Sequence, residues 1–503
     1  MVKSVENRLA NHALEIQVNN KFQVQKNKLP YKNQTFFKFK SLTLDISRNY
    51  IDKNILSDLM ILSKKLNIKS SIREIFTNKY ISTTELKKVS HVYSRNSSSQ
   101  QKNMLKMIKL YNDLISGKKK TSENLAFKNV IHIGIGGSVI GPKVLSQSLK
   151  DYSTKKFKIH YISSADTREL DDALESCNIN ETLFIIASKS FKTKEVLLNL
   201  EYIKRKFSGK NIKKNLKTNF IAITSVKKSA IDIGFDKSMV FDFSEEIPGR
   251  FSLTSCISLS VLLDIGPTNY KKFIDGFKSM DKHFFISKYD SNIPLIMALL
   301  SIWNINFLNM NALSICPYSY RLRGLVEHFQ QQEMESNGKS TDKDGNRISF
   351  LTSPIVFGQS GSECQHSFLQ MIHQGTHSSC VDFIGVVDNK KSESSKFLLS
   401  NMISQADICF NGKKSKTSFK NINHGTPSNI IILDSITPES IGILMSLYEH
   451  KVFLEGVLWN INSFDQWGVE YGKNLAKKIQ LSLTKKPKGK ENIIINEIRK
   501  KLR

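Results

Sequence analysis

The sequence predicts an α/β protein with two tandem units, each a mostly parallel β-sheet covered by helices on both faces. Two observations predict this fold. Short apolar runs of strand length alternate with helical patterns from residue 130 to residue 243, and the same alternation begins again at residue 313. At 503 residues, the chain is also too long for one hydrophobic core and should divide into domains.

The first unit contains five predicted strands. Each is a run of aliphatic and aromatic residues, which is typical of a parallel strand buried on both faces. The runs cover residues 130–135, 158–163, 183–187, 220–224 and 239–243. Helical patterns, such as residues 195–207, separate them.

The second unit repeats this arrangement after a helical stretch at residues 269–308. Four strands and two long helices are predicted, at residues 313–316, 355–357, 381–387 and 430–433 and at residues 393–408 and 439–458. Residues 292–320 carry no charge, but they contain four asparagines from Asn304 to Asn311, which would be costly inside a bilayer. We therefore expect a buried helix and a buried strand there, and no membrane span.

The flanking segments are lysine-rich. Weakly amphipathic helices are predicted at residues 55–66 and 102–115, and a basic arm at residues 485–503. Four domains are predicted. Residues 1–120 form a mainly helical extension that packs on the larger domain, and residues 121–266 form a first α/β domain. Residues 267–470 form a second α/β domain, and residues 471–503 form a C-terminal helix with the arm.

The composition favours an anionic, small-molecule substrate. The formal net charge is +29, but the lysines are scattered, whereas a nucleic-acid-binding protein would show a clustered basic face. The six cysteines stand singly, as in a protein with reduced thiols, and the first residues lack the apolar core of a signal peptide. We expect a cytoplasmic protein that binds neither nucleic acid nor membranes.

Two segments have the composition of anion-binding loops. One segment, residues 133–142, lies between a strand and a helix and reads Ile-Gly-Ile-Gly-Gly-Ser-Val-Ile-Gly-Pro. Its glycines are about equally compatible with a structural turn and with a ligand-binding loop. Residues 188–193, Ser-Lys-Ser-Phe-Lys-Thr, precede a helix. Their hydroxyls and lysines favour a phosphate site over ordinary helix capping.

Three later segments carry groups that can transfer protons. Glu335 closes an amphipathic helix beside a polar turn, His366 follows in the next segment, and Lys473 stands seven residues after Gln466 around a predicted turn at Gly468. A carboxylate, an imidazole and an ammonium suit proton-transfer chemistry.

The remaining candidates are less specific. Arg250, after Gly249, precedes an uncharged helix predicted at residues 251–263, and an arginine there is commonly solvated. His366 and His373 are predicted to share one helix face. Adding His377 would suggest zinc, but a glycine interrupts the helix and no acidic partner follows at a suitable offset, so we predict no metal site.

Six motifs in order resemble the glucose-6-phosphate isomerase (phosphoglucose isomerase) family. They are Ile-Gly-Gly-Ser with Gly-Pro at 135–142, Ile-Ala-Ser-Lys-Ser at 186–190, Gly-Arg at 249–250, Met-Glu-Ser-Asn-Gly-Lys at 334–339, Gln-His with Ile-His-Gln-Gly-Thr at 365–376, and Phe-Asp-Gln-Trp-Gly through Lys at 464–473. The resemblance runs from about residue 42 to residue 483. Departures occur at Ser164, Ser190, Lys192, Pro248 and residues 362–364.

The resemblance implies two sugar-isomerase (SIS-type) α/β/α sandwich domains and a homodimer. It also implies an isomerase that interconverts glucose 6-phosphate and fructose 6-phosphate in glycolysis and gluconeogenesis. This reaction would need neither a metal nor another cofactor. The resemblance places the phosphate site in the first domain and the catalytic glutamate and histidine in the second. Activity on mannose 6-phosphate stays open.

The resemblance also implies residue roles. Glu335 would be the base in a cis-enediol mechanism, His366 would open the ring, Lys473 would handle the proton on O1, and Arg250 would stabilise the enediolate. The substrate contacts implied are Ser188, Lys189, Ser190 and Thr193 for the phosphate, and Gly137, Ser138, Gly249, Gln331 and Gln466 for the sugar.

Two other classes of protein are alternatives to an enzyme for this sequence. A sugar-phosphate-binding regulatory module would not need Glu335, His366 and Lys473 together, so their presence favours an enzyme. A basic nucleic-acid binder would lose affinity steeply with added salt.

Overall fold

A computed structural model of the chain describes residues 2–18, 35–207, 212–388, 392–423, 425–484 and 492–502. It confirms the α/β class and the two mostly parallel sheets. By its contacts the chain forms two compact units, residues 1–463 and 464–503.

The N-terminal part is mainly helical, but it also supplies strands that the sequence analysis missed. Its elements are α1 (Val2–Val18), β1 (Phe36–Phe39), β2 (Leu42–Arg48), α2 (Lys53–Lys65), α3 (Ile68–Phe76), β3 (Ile81–Ser82), β4 (Lys87–Lys88), α4 (His91–Ser94) and α5 (Ser98–Ile115). Strands β1 and β2 pair with each other and extend the second large sheet, while β3 and β4 form a short separate hairpin.

All five strands predicted for the first unit are present. The elements are β5 (Asn129–Ile133), α6 (Ile140–Ser148), β6 (Lys158–Ile162), α7 (Thr167–Glu175), β7 (Thr182–Ala187), α8 (Lys194–Lys206), α9 (Ile212–Thr218), β8 (Phe220–Thr224), α10 (Lys227–Ile233) and β9 (Val240–Asp242). The strands form an entirely parallel sheet in the order β6-β5-β7-β8-β9. Central strands β5, β7 and β8 are buried along their whole length, which explains their continuous apolar sequences.

A long helical stretch leads into the second sheet. The elements are α11 (Leu259–Ile286), α12 (Ile293–Ile302), β10 (Ala312–Pro317), α13 (Leu325–Asn337), β11 (Ile355–Gly358), α14 (Gly361–Gln365), α15 (Leu369–Gln374), β12 (Ser379–Val386), α16 (Glu393–Asn411), β13 (Ser428–Leu433) and α17 (Pro438–Leu458). The sheet order is β1-β2-β13-β12-β10-β11, in which the four strands of the second unit are parallel and β1 and β2 are antiparallel.

The predicted helix at residues 251–263 is wrong at its start. Residues before Leu259 form two single 3₁₀ turns, Gly249–Phe251 and Cys256–Ser258, and only then does α11 begin. The side chain of Ser255 caps the second turn, because it accepts a hydrogen bond from the backbone N–H of Ile257. Arg250 therefore lies in the first of these turns and not in a helix.

Helix α17 is buried along nearly its whole length. It packs against α11, α12 and α13. Glycines permit the closest contact, because a Cβ added at Gly276 would lie 2.2 Å from the carbonyl oxygen of Glu439, and one added at Gly442 would lie 2.2 Å from that of Phe273. Residues 292–320 form the predicted buried helix and strand. No helix in the described part of the chain combines the length and the apolar character needed to cross a membrane.

The unit 464–503 contains α18 (Trp467–Thr484) and α19 (Ile493–Lys501). The Arg499 guanidinium ties these helices together by donating from Nε to the carbonyl oxygen of Ser482 at 2.9 Å. Residues 493–501 of the predicted basic arm form a helix, and residues 485–491 of that arm lie outside the described residues.

Candidate active site

The loops that form the candidate site leave the carboxyl edge of the first parallel sheet. Strand order places β6 on one side of β5 and β7 on the other, so the chain reverses direction across the sheet between β5 and β7. Ligands of open α/β sheets bind in the crevice at such a reversal. The glycine-rich segment follows β5 and the Ser-Lys-Ser segment follows β7, so both predicted anion-binding loops border this crevice.

Close backbone contact brings the loop after β5 against the loop after β9. A Cβ added at Gly137 would lie 2.3 Å from the carbonyl carbon of Gly249, so only glycine allows this approach. A Cβ added at neighbouring Gly136 would lie 3.0 Å from Nε2 of Gln331 on α13. The structure thus brings three predicted sugar contacts together, Gly137, Gly249 and Gln331.

His132 on β5 holds this loop through its contact with Ser138. Its Nε2 lies 2.8 Å from the carbonyl oxygen of Ser138, and its Nδ1 lies 2.9 Å from the Ser260 hydroxyl. Since a carbonyl only accepts, Nε2 carries the proton and Nδ1 accepts from the serine. Burial lowers the pKa of His132 to about 4, so the ring is neutral. A polar residue inside an otherwise apolar strand was the available sequence signal.

The loop after β7 carries its hydroxyls and its lysine toward the same edge. Ser188 Oγ and Thr193 Oγ1 lie 2.9 Å apart, so in the described structure the Thr193 hydroxyl pairs with a hydroxyl and does not cap α8. Lys189 Nζ donates to the carbonyl oxygen of Ile247 at 3.0 Å, and burial lowers its pKa. Ser190 is exposed and its Oγ accepts from the backbone N–H of Lys192, whose side chain is also exposed.

A buried anchor makes this loop rigid. Phe191 adopts a left-handed conformation with φ of 51°, which a bulky residue rarely does, and its ring is buried in the core of the first sheet. The carbonyl oxygen of Lys189 accepts hydrogen bonds from the backbone and hydroxyl of Ser225 and from the hydroxyl of Thr224. The loop is therefore preorganised, which lowers the entropy cost of holding a ligand.

Arg250 and Glu335 form an ion pair at the end of α13. Arg250 Nη1 lies 3.3 Å from Glu335 Oε2, and the arginine side chain is 1% exposed whereas the glutamate side chain is 29% exposed. Gln331 Nε2 donates to the same carboxylate oxygen at 3.1 Å. Arg250 is thus not a solvated charge, and Glu335 presents a partly accessible carboxylate next to a fixed cation.

The polar turn after Glu335 ends α13 as predicted. The helix stops at Asn337, Gly338 follows as the C-cap residue, and Lys339 Nζ donates to the carbonyl oxygen of Glu335 at 2.9 Å. Ser336 and Asn337 point to the buried side of the helix, while Gln331 and Glu335 face the loops. The end of α13 therefore directs Glu335 toward the loops and directs Ser336 and Asn337 toward the protein interior.

The prediction that His366 and His373 share one helix face is wrong. Helix α14 ends at Gln365 and α15 begins only at Leu369, so a break separates the two histidines. His366 is exposed at the end of α14, and His373 Nε2 pairs with Gln405 Oε1 at 2.8 Å. In the described ranges, no group of three or more His, Cys, Asp or Glu side chains is arranged to hold a metal ion.

Lys473 and Gln466 belong to the unit 464–503. The turn predicted around Gly468 is wrong, since this glycine lies within α18. Lys473 Nζ pairs with Glu470 Oε1 at 2.8 Å, one turn earlier on the same helix, and the lysine side chain is 60% exposed. Lys473 therefore lies exposed beside a carboxylate of its own helix.

The chain matches known proteins along almost its full length. The family model for phosphoglucose isomerase matches residues 45–492. Glucose-6-phosphate isomerase of Buchnera aphidicola subsp. Schizaphis graminum is 37% identical over 497 residues, which cover 92% of this chain and 89% of the relative. The enzyme of that name from Helicobacter pylori strain J99 is 36% identical over 479 residues, covering 88% of each protein.

Solved structures agree. The crystal structure of a glucose-6-phosphate isomerase from Chlamydia trachomatis superposes with a TM-score of 0.85 at 28% identity and covers 96% of both chains. A hypothetical protein from Thermus thermophilus, TT0462, shares the fold with a TM-score of 0.64 at 20% identity, covering 87% of this chain and 99% of its own. The matched family model, the identities and the coverage together establish that this chain belongs to the phosphoglucose isomerase family.

Proposed function

We propose that the chain interconverts glucose 6-phosphate and fructose 6-phosphate by moving a proton between C1 and C2 of the open-chain sugar, with Glu335 as the base. The ion pair between Glu335 and Arg250 is the observation that carries this proposal. A base for C–H abstraction must be accessible to the substrate, and a fixed cation must lie where negative charge develops. The partly exposed carboxylate and the buried guanidinium meet both needs.

The ion pair also explains how the charge moves during the reaction. When Glu335 accepts the C2 proton it becomes neutral, and the negative charge appears on the oxygen of the enediolate. Arg250 loses its anionic partner at the moment when a new one forms beside it. Because the buried guanidinium is already desolvated, little reorganisation is needed to stabilise the new anion.

The phosphate is proposed to bind at the loop after β7. Ser188, Ser190 and Thr193 supply hydroxyls at the N-terminus of α8, where the helix dipole favours an anion. Lys189 adds a cation. An anchored phosphate orients the sugar, so remote binding contributes to the rate of the chemical step.

Gly137, Ser138, Gly249 and Gln331 are proposed to line the sugar, because the loops after β5 and β9 and helix α13 meet near Glu335. His366 is proposed to assist ring opening, Lys473 to handle the proton on O1, and Gln466 to line the sugar. We propose no metal or redox cofactor. The domain boundaries at residues 120, 266 and 470 also remain proposals.

The proposal includes a cytoplasmic homodimer acting in glycolysis and gluconeogenesis. Six free cysteines are what a reducing compartment produces. Trp467, Tyr471 and Leu475 follow one another at helical spacing on α18 and are all exposed in the single chain. Such an apolar stripe suits burial against a second copy, and the mass in solution, measured by light scattering, tests it.

The test of the proposed function is the Glu335→Gln variant. Purified protein is assayed with fructose 6-phosphate by coupled detection of glucose 6-phosphate, with a chelator present. We expect kcat to fall by about 10²–10⁴-fold, the usual contribution of a positioned base, while the sugar phosphate still binds. Mannose 6-phosphate is assayed in parallel as a second substrate.

Glu327→Gln provides the matched control. Glu327 lies on the same helix two turns earlier, is 44% exposed and pairs with Lys143. This control should keep wild-type kcat. Full activity of Glu335→Gln would overturn the mechanism, and loss of activity with chelator would overturn the metal-free proposal.

A further inference from the structure

Neutral acceptors hold the Arg250 guanidinium more closely than the carboxylate does. Nε donates to the Ser336 hydroxyl at 2.7 Å, and Nη2 donates to the carbonyl oxygen of Ser463 at 2.6 Å. The distance from Nη1 to Glu335 Oε2 is 3.3 Å. Charge-assisted bonds between arginine and carboxylate usually span about 2.7–2.9 Å. Of these three contacts, those to Ser336 and Ser463 are therefore the closer ones, and they orient the guanidinium more than the contact to Glu335 does.

Asn337 fixes the second of these acceptors. Its Oδ1 accepts from the Ser463 hydroxyl at 2.7 Å, and its Nδ2 donates to the carbonyl oxygen of Val452 on α17 at 3.0 Å. Gly456 leaves the necessary room, because a Cβ there would lie 1.8 Å from Ser463 Oγ. Ser336, Asn337 and Ser463 are all nearly inaccessible to solvent. Together they form a rigid cradle around one buried cation.

This arrangement solves a problem that a direct salt bridge would create. A bidentate Arg250–Glu335 pair would tie the orientation of the guanidinium to the charge of the carboxylate, because such a pair is held by charge-assisted hydrogen bonds. A guanidinium that also donates to Ser336 and Ser463 stays in place while Glu335 accepts and returns the proton. Nη1 can then exchange one anionic partner for another without a change of side-chain rotamer.

We infer that Ser336 and Asn337 are positioning residues of the isomerase, which orient Arg250 through the Ser336 hydroxyl and through the Ser463 carbonyl so that Glu335 remains free to accept the proton. The inference rests on the proposed function. It explains why Ser336 and Asn337 directly follow the base in the sequence, since one helix end supplies the carboxylate on one face and the cradle on the other.

A double-mutant cycle tests the inference with Ser336→Ala, Arg250→Lys and the combined variant. Lysine keeps the charge of Arg250 but lacks the Nε–H that Ser336 accepts. We expect Ser336→Ala to lower kcat on the order of 10-fold, as for a lost hydrogen bond to a charged group, with KM for fructose 6-phosphate changed less than about threefold. In the Arg250→Lys background the same substitution should change kcat less than about threefold.

Ser446→Ala is the matched control. Ser446 is also a buried helical serine with a charged partner, since its hydroxyl donates to Asp281 Oδ1 at 3.2 Å, but it lies outside the site. It should keep wild-type kcat in both backgrounds. Thermal unfolding of every variant verifies folding, and if Ser336→Ala does not fold, Ser463→Ala takes its place in the cycle, since it removes the bond to Asn337 and leaves the backbone acceptor.

The outcomes separate this inference from the proposed function. Equal losses of kcat in the wild-type and Arg250→Lys backgrounds would show that Ser336 acts independently of the arginine and would overturn the inference, while the loss in Glu335→Gln still supports the proposed function. If Arg250→Lys itself retained full kcat, nothing would remain to be positioned and the inference would fail. A loss confined to KM would overturn it as well.

Discussion

Gly137 and Gly249 lie so close that a methyl group added to Gly137 would be 2.3 Å from the carbonyl carbon of Gly249. The loop after β5 and the turn that carries Arg250 thus meet through bare backbone. Gln331 also borders the loop after β5, since a Cβ added at Gly136 would lie 3.0 Å from its Nε2, and this nitrogen donates to Glu335 at 3.1 Å. Any side chain at position 137 must force the two loops apart.

Gly137→Ala is therefore expected to damage the site and to destabilise the fold. Forcing a methyl group into a packed contact typically costs about 1–3 kcal/mol of unfolding free energy. Urea unfolding measures this loss, and the coupled isomerase assay should show kcat reduced more than the remaining folded fraction explains. Gly472→Ala is the control, because no atom lies within 4 Å of a Cβ at that helical position. Wild-type stability and activity in Gly137→Ala would contradict the contact.

The sequence predicted the parallel strands because burial on both faces leaves continuous apolar runs, as in β5 and β7. It missed β2, although Leu42, Leu44 and Ile46 alternate with polar residues in the period of a half-buried strand. Strand β2 pairs on one side with β1, which directly precedes it, and on the other side with β13, almost 400 positions later. Local sequence pattern alone cannot show the distant partner that places β2 in the second large sheet.

The site could be predicted only as separate pieces. The family resemblance implied that Arg250 and Glu335 act on one substrate, but it did not predict that a residue in the turn after β9 and one near the end of α13 form a direct ion pair. Ser463 was missed because it contributes its carbonyl oxygen, and a backbone acceptor leaves no trace in residue type. His366 and His373 were assigned to one helix because seven-residue spacing cannot reveal a break between two short helices.

Substitutions in the loop after β7 should weaken substrate binding more than the chemical step. We expect Ser188→Ala to raise KM for fructose 6-phosphate about 10-fold and Lys189→Met to raise it further, because a hydrogen bond to a charged group contributes roughly 1.5–3 kcal/mol. Lys192→Met is the matched control, since this lysine is exposed on the same loop. Inorganic phosphate should inhibit both loop variants less than wild type, and unchanged inhibition would contradict a phosphate site here.

Lys451 should be important for stability without contacting substrate. It lies buried between Glu333 Oε2 at 2.8 Å and Glu455 Oε1 at 2.6 Å. Burial alone would lower its pKa, but the two carboxylates outweigh burial and raise the pKa. Lys451→Met leaves Glu333 buried without its cation, which typically costs about 3–5 kcal/mol of unfolding free energy.

The double variant Lys451→Met with Glu333→Gln removes both charges and should recover part of that loss in urea unfolding. A cycle in which the two substitutions simply add would show that the ion pair does not connect α13 with α17. The comparison is direct because Glu333 lies on the opposite face of α13 from Glu335, so the neutral glutamine leaves the carboxylate of the site in place.

Stability should fall in mild acid, because several buried histidines resist protonation. Burial lowers the pKa of His328 to about 4, and in the described part of the chain neither ring nitrogen of this residue has a hydrogen-bond partner. An unfolded histidine has a pKa near 6.5. Between about pH 6.5 and pH 4 the unfolded chain therefore binds a proton that the native state does not, so protons favour unfolding in this window. Above pH 6.5 both states are neutral at this residue and the effect vanishes.

His328→Leu should consequently flatten the acid side of the stability profile. Each such histidine makes the free energy of unfolding fall by about 1.4 kcal/mol per pH unit as the pH decreases through this window. In the variant, the slope of the unfolding free energy against pH should therefore be smaller by about this amount. Urea unfolding at half-unit steps from pH 7 to pH 4 measures it. Gln332→Leu, one turn later on α13 and equally buried, changes a polar group that does not titrate and should retain the wild-type slope. If His328→Leu kept that slope too, the imidazole would have to be protonated inside the native protein, and the steep acid dependence would need another source.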